Sequence, residues 1–182
     1  TELVPRGSER RLSDIMAERH WNDVVVKPAV SAASYRTQRI HGDRQAKGEA
    51  HLRALLADGD ALVQAYLPSV EEYGERALIW IDGELTHAVR KSTRFDDDDE
   101  STSAALTIAP EEAELANAAL AHVTGAVGEP PMYARIDLAP GPAGDPVLME
   151  LELIEPSLFF PQSPAALQRF VTAVRRRLDR PC

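Results

Sequence analysis

Residues 133–156 read YARIDLAPGPAGDPVLMELELIEP, two strand-like segments joined by a breaker-rich turn. The first alternates up to Asp137, the second runs from Pro146 to Ile154, and Gly141-Pro142-Ala143-Gly144-Asp145 interrupts the pattern between them. The reading is a β-hairpin that carries carboxylates. Side chains alternate faces along a strand, so Glu150 and Glu152 point one way and Met149, Leu151 and Leu153 the other. Asp137 is placed to join the two glutamates from the partner strand. Three convergent carboxylates repel one another unless a cation lies among them, and a hard divalent ion suits an all-oxygen donor set. Mg²⁺ with a bound phosphate is the expected occupant; the alternative is the solvated face of an antiparallel sheet.

Outward from this hairpin, the chain divides into alternating helical and extended segments. Pro110 to Val127 is a helix with Pro110 near its start and glutamates in its first turn, and Ala113, Leu115, Ala118, Leu120 and Val123 form the expected buried stripe. Glu75 to Lys91 is a second hairpin with Asp82-Gly83 at its turn. Phe95 to Glu100 carries five consecutive carboxylates and reads as a self-repelling loop. Ser69 to Gly74 reads as a polar loop and Ala61 to Tyr66 as a short buried strand stopped by Pro68.

Nearer the N-terminus, Ser13 to His20 is a short helix with Ser13 as its cap, and Gln45 to Ala57 an amphipathic helix ended by Asp58-Gly59. Between them, the β-branched run Asp23 to Val30, the small-residue loop Ser31 to Ser34 and the alternating Tyr35 to Ile40 form a further hairpin. Ser163 to Leu178 is the last helix, with Ser163 as cap, Pro164 first and Arg175-Arg176-Arg177 at its C-terminal pole. This order is an α+β pattern, divided near residue 60.

The chain has 182 residues, 44% hydrophobic and 27% charged, enough for one large domain or two small ones. A formal charge of -9 speaks against a nucleic-acid or anionic-membrane surface. Its apolar runs are too short for a membrane span, and no signal segment is visible. The single cysteine is Cys182, which leaves no intrachain disulfide or thiolate metal site and fits a reducing cytoplasm. Leu3-Val4-Pro5-Arg6-Gly7-Ser8 spells a common protease-cleavage linker, so a cloning scar is one reading of it. Neither a GxGxxG or Walker-type loop nor a Ser/His/Asp set is present.

Several residues carry cationic or polar chemistry at useful places. Lys27 ends a strand beside the Ser31–Ser34 loop, an arrangement suited to phosphate oxygens and equally to a snorkelling strand-end lysine. Arg76 and Arg90 stand at opposite ends of one hairpin, where they either meet an anion across the strands or are solvated. His87 on the same hairpin has no second histidine at ligand spacing.

In order along the chain come a Lys-Pro strand with a small-residue loop, Gln64-Ala-Tyr66-Leu67-Pro68, an Arg-bearing hairpin, and an Arg-x-Asp strand paired with Glu-x-Glu and Pro. This succession resembles the ATP-grasp superfamily, especially its glutathione synthetase-like ligases, over nearly the whole chain. The resemblance implies a fold in which two α+β subdomains, here 1–60 and 61–182, sandwich ATP. It implies that Lys27 contacts the α- and β-phosphates, that the Ser31 to Ser34 loop closes over the β- and γ-phosphates, and that Gln64, Tyr66 and Leu67 line the adenine. Glu71 or Glu75 would take the ribose; Arg76 and Arg90, helped by Lys91, would stabilise the transferring phosphoryl; Asp137, Glu150 and Glu152 would hold Mg²⁺. Two departures stand out: the loop is Ser-Ala-Ala-Ser where the family's is glycine-rich, and Glu152 stands where the family often has asparagine.

The implied reaction is carboxylate-amine ligation through an acyl phosphate, on an amino acid or small peptide-like substrate, with a non-catalytic nucleotide-binding module as the alternative. A third reading makes the acidic run a cation-binding or interaction element. The resemblance also implies an N-terminal domain ahead of this sequence. Residues 1–7 fit the family's register there and are read as native. Homo-oligomerisation is left open.

Overall fold

The computed structural model describes residues 1–31, 35–92 and 101–179. Its element order is β1 (Glu2–Val4), α1 (Leu12–Arg19), β2 (Val24–Pro28), β3 (Gln38–Ile40), α2 (Gln45–Asp58), β4 (Ala61–Ala65), α3 (Pro68–Glu72), β5 (Glu75–Ile81), β6 (Glu84–Lys91), α4 (Pro110–Val127), β7 (Tyr133–Pro140), β8 (Pro146–Glu152) and α5 (Pro164–Leu178). Two compact units result, Thr1–Tyr66 and Leu67–Cys182. β4 is an inner strand of the first unit's sheet.

In the first unit the strand order is β1-β4-β2-β3, with every pair antiparallel. Alternation along β2 and β4 turns Val24, Val26, Ala61 and Val63 into a core with Leu12, Ile15, Leu52, Leu55 and Leu56 of α1 and α2. Gly48 is required there, since a Cβ on it would lie 2.5 Å from Leu12 and 2.7 Å from Ile40. Ser13 does not cap α1. Instead the Glu49 carboxylate of α2 accepts the Leu12 and Ser13 backbone N–H groups at 3.0 and 2.9 Å, filling the role of a side-chain cap from another helix. The β3 strand begins only at Gln38, because Arg36 takes a left-handed conformation (φ 52°) that interrupts the extended run from Tyr35. The segment Glu2–Val4, a strand that its short pattern does not announce, pairs with β4 and buries Val4.

In the second unit the order is β6-β5-β7-β8, again antiparallel throughout. One face carries Leu78, Ala88, Ala134, Ile136 and Leu138 against Ala116 and Leu120 of α4. The other carries Ile79 and Ile81 against Leu158 and Ala166, with Tyr133, Phe159, Phe160 and Phe170 around them. The α4 stripe is rotated from the expected one: Ala118 is exposed, while Glu112, Ala116 and Leu120 are buried.

Residues 69–74 are not a loop throughout, since Pro68 starts the helix α3, which Gly74 closes at φ +94°. A side chain at Gly74 would collide with the Lys91 carbonyl oxygen across the sheet edge. The Asp82-Gly83 turn has both residues at positive φ, 46° and 94°, as a two-residue hairpin requires. Ser163 caps α5, accepting the Ala166 N–H at 3.4 Å.

Among the described residues, no helix is long and apolar enough to cross a membrane. The acidic run Asp96–Glu100 lies outside the described residues.

Candidate active site

On the α5 side of the second sheet, the pairing register assembles a polar cluster. Glu75 stands opposite Lys91 on β5–β6, Asp137 opposite Glu150 on β7–β8, and Arg135 opposite Glu152. A bulge between Asp137 and Leu138 makes Met149 the extra residue of β8 and keeps Glu150 on the face of Asp137. Carboxylate oxygens of Asp137, Glu150 and Glu152 all lie within 4.8 Å of one another.

Asp137 is the centre of this cluster and is fully buried, at 0% exposure. An ionised carboxylate tolerates that position only if it is paired and hydrogen-bonded. Lys91 Nζ donates to it at 2.5 Å, and Arg135 donates through Nε at 2.9 Å and Nη2 at 3.0 Å. Lys91 also meets Glu75 at 3.0 Å, and Arg135 bonds Glu152.

Burial alone would push the Lys91 ammonium down, but Asp137 and Glu75 outweigh it and hold its pKa above the ordinary value. Arg135 is raised by the same balance of burial against Asp137. Glu152 is also raised, by burial first and by Glu150 and Asp137, against the pull of Arg135.

Four carboxylates (Glu75, Asp137, Glu150, Glu152) surround two cations (Lys91, Arg135), so the cluster keeps a surplus of negative charge. Hard oxygen donors at this spacing, with exposed Glu150 and half-buried Glu152 on the open side, fit a Mg²⁺ that fills its remaining positions with phosphate oxygens or water.

Arg76 and Arg90 are not brought to this cluster. They oppose each other on β5–β6, and Arg76 also opposes Leu138, which places them on the α4 face. There Arg76 donates to Glu112 through Nε and Nη2 and to the Thr107 carbonyl at 2.7 Å, and Arg90 lies over the Tyr73 ring at 5.2 Å. Arg135 is the cation that residue-by-residue reading passed over. Its position two residues before Asp137 on a strand was the available signal, since i and i+2 share a face.

Of the remaining sequence candidates, Lys27 and Gln64 share the face of the first sheet turned away from α1 and α2, together with Leu3, Val25 and Leu62. Tyr66 is buried, and the Arg39 guanidinium lies 3.5 Å from its ring centre. Ser31 is exposed, and Ser34 lies outside the described residues. Leu67 is half-buried just before α3, and Glu71 is exposed on it.

Comparison with solved structures gives the D-cycloserine synthetase DcsG at TM-score 0.89 and 30% identity, covering 98% of this chain and 64% of that one. The ATP-grasp ligase PsnB, crystallised with a minimal precursor, Mg and ADP, superposes at TM-score 0.62 and 17% identity over 96% of this chain and 52% of that one. The chain has the ATP-grasp fold. D-alanine–D-alanine ligase from Bacillus anthracis, crystallised with ATP, shares the ATP-grasp fold with it at TM-score 0.67 and 16% identity, over 98% of this chain and 60% of that one. Among curated proteins, the cycloserine biosynthesis protein DcsG of Streptomyces lavendulae is 31% identical over 200 residues. The chain spans 64% of that relative's length. No family model matches the chain.

Proposed function

We propose that this ATP-grasp protein is an ATP-dependent carboxylate-amine ligase that works through an acyl phosphate on an amino acid or small peptide-like substrate. The supporting observation is the α5-side cluster, in which Asp137, Glu150 and Glu152 converge while Lys91 and Arg135 hold the buried carboxylate. Asp137, Glu150 and Glu152 would hold Mg²⁺, which when bound offsets charge on the phosphate oxygens.

Lys91 and Arg135 orient the carboxylates they bond, and they set positive charge beside the transferring phosphoryl group. The γ-phosphoryl passes in line to the substrate carboxylate, ADP leaves, and an amine displaces phosphate from the acyl carbon to form the amide. Lys27 would contact the nucleotide phosphates, Gln64, Tyr66 and Leu67 the base, and Glu71 or Glu75 the ribose. No protein nucleophile is required, in keeping with a site built for positioning and electrostatics. A cytoplasmic setting accords with the lone cysteine.

The test is thermal unfolding of this chain with and without MgATP, followed by ADP release in the presence of amino-acid pools. A nucleotide at about a hundred times its dissociation constant should stabilise by about 2.7 kcal/mol. ADP release that needs both a carboxylate and an amine, with hydroxylamine intercepting the acyl phosphate, supports ligation. MgATP stabilisation with no substrate-dependent ADP from any pool indicates a nucleotide-binding module instead. Absence of stabilisation refutes nucleotide binding by this chain.

A further inference from the structure

Arg135 is shared between two members of the carboxylate cluster. Its Nε donates to Asp137 Oδ1 at 2.9 Å, and its Nη2 donates to Asp137 Oδ2 at 3.0 Å and to Glu152 Oε1. The cross-strand pairing of Arg135 with Glu152 and the two-residue step from Arg135 to Asp137 put all three side chains on one face. A guanidinium is a rigid planar fork, so one side of it lies along Asp137 while Nη2 reaches Glu152. The Arg135 side chain is 10% exposed and that of Glu152 29%, so water screens this ion pair only in part.

Asp137 and Glu152 are also two of the three carboxylates that a divalent ion would bond. Their ligand oxygens and that of Glu150 lie within 4.8 Å of one another. Mg²⁺ holds oxygens at about 2.0–2.1 Å, so two of its ligands stand no more than about 4.2 Å apart. Drawing Glu152 onto the ion therefore sets Mg²⁺ and the guanidinium on one carboxylate, where the two positive charges repel. Glu150, exposed on the open side, meets the ion without that conflict. Lys91 bonds Asp137 at 2.5 Å, so the buried carboxylate keeps a cation when Arg135 loosens.

Resting on the ligase reading above, we propose that Glu152 is a positioning residue for Arg135: it holds Nη2 in the metal-free protein, and Mg²⁺ displaces Nη2 from it toward the anion that arrives with the ion. The exchange breaks one charge-assisted hydrogen bond, Nη2–H to Glu152 Oε1, and leaves Nε–H on Asp137. When ionised, the four carboxylates Glu75, Asp137, Glu150 and Glu152 exceed the cations Lys91 and Arg135 by two charges, which one Mg²⁺ offsets. The released Nη2 is then a donor for a phosphate oxygen, which a planar guanidinium suits. A neutral side chain at position 152 would hold neither cation as strongly, so the exchange depends on the carboxylate.

The test is a cycle of full-chain proteins: the parent, Arg135→Met, Glu152→Gln and the double variant. Unfolding in urea is followed without nucleotide over a range of Mg²⁺ concentrations, which gives both the stability and the Mg²⁺ affinity of each. Direct repulsion between Arg135 and the ion is present in both backgrounds, so it cancels in the cycle and leaves the exchange.

Arg135→Met should tighten Mg²⁺ binding about tenfold more in the parent than in the Glu152→Gln background. The unfolding constants should show an Arg135–Glu152 coupling of about tenfold in metal-free protein and below about twofold at saturating Mg²⁺. In an arginine ¹⁵N spectrum, with the Arg135 signal assigned by its loss in Arg135→Met, the Nη protons should exchange with solvent faster in Mg²⁺ alone and slow again with a non-hydrolysable ATP analogue. Equal tightening in the two backgrounds overturns the exchange, because Mg²⁺ and Arg135 then share Glu152 through its two oxygens. Coupling that survives saturating Mg²⁺ overturns it too, as does a parent that binds no Mg²⁺. The cycle uses the metal alone, so the exchange and the ligase reading fail separately: a parent that MgATP does not stabilise refutes nucleotide binding and leaves the Mg²⁺ cycle intact.

Discussion

Replacing Arg135 and Arg76 by methionine, one at a time, separates the two faces of the second sheet. Each arginine pairs with a buried carboxylate, and each substitution strands that carboxylate. Asp137, at 0% exposure, would lose its Arg135 bonds at 2.9, 3.1 and 3.0 Å and keep only Lys91. Glu112 would lose Arg76 and keep the Ala109 N–H at 2.9 Å. Breaking a buried pair costs about 3–5 kcal/mol, and the remaining partners place both variants at or below the lower end, about 3 kcal/mol. For domains of this size that lowers the midpoint by roughly 10 °C or more.

Stability alone therefore does not tell the two apart, but Mg²⁺ does. Arg135→Met removes a positive charge from the carboxylate cluster, and a divalent ion about 5 Å from the lost charge gains roughly 1–2 kcal/mol even at the dielectric of water. Mg²⁺ alone should stabilise Arg135→Met more than the parent, and Arg76→Met no more than the parent. The MgATP increment should survive in Arg76→Met and shrink in Arg135→Met. Differential scanning of the three proteins at low ionic strength, with and without Mg²⁺ and ATP, gives the answer. Equal Mg²⁺ shifts in all three would refute the metal assignment, and loss of the MgATP increment in Arg76→Met would show that the α4 face is part of the site.

Other outcomes follow from single contacts. Gly74→Ala places a Cβ against the Lys91 carbonyl at φ +94°, and should destabilise by about 2 kcal/mol or more in urea melts, with weakened MgATP binding because Lys91 must shift. Glu49→Ala leaves two N–H groups of α1 without acceptors and should cost about 1–2 kcal/mol. The Glu49 pKa is lowered because those N–H bonds outweigh burial, so this contribution is present above the unfolded value and is lost as pH falls through the folded one; melts of parent and variant should converge in acid. Glu152 has the opposite sign, its folded pKa being raised by burial and its carboxylate neighbours. Its ionised form works against folding above the folded value, and that penalty fades as pH falls from the folded value to the unfolded one. Metal-free Glu152→Gln should therefore be at least as stable as the parent at pH 7, with the gap closing in acid, and its Mg²⁺ response should be reduced.

The carboxylate hairpin was legible because period-two alternation and a Gly/Pro turn fix which side chains share a face before any tertiary contact is considered. The same logic separates Arg76 and Arg90 from that cluster. Strand parity puts residue 76 opposite in face to 75, and 90 opposite to 91, so whichever face held Glu75 and Lys91 excluded both arginines. Leu138, the cross-strand neighbour of Arg76, ties that residue to the α4 side, and Arg90 follows as the partner of Arg76 on β6. Ser13 was a plausible cap by composition, yet a carboxylate from 36 residues away took the position, and nothing in local sequence reports such a partner.

The placement of β4 is non-local for a related reason. Residues 61–65 look like the start of the next segment, but their hydrogen bonds run back to β1 and β2, and sheet membership is a non-local property. What alternation cannot supply is which faces become neighbours. In the second sheet, that choice turns Asp137 from one carboxylate in a pattern into a buried centre clamped by Lys91 and Arg135.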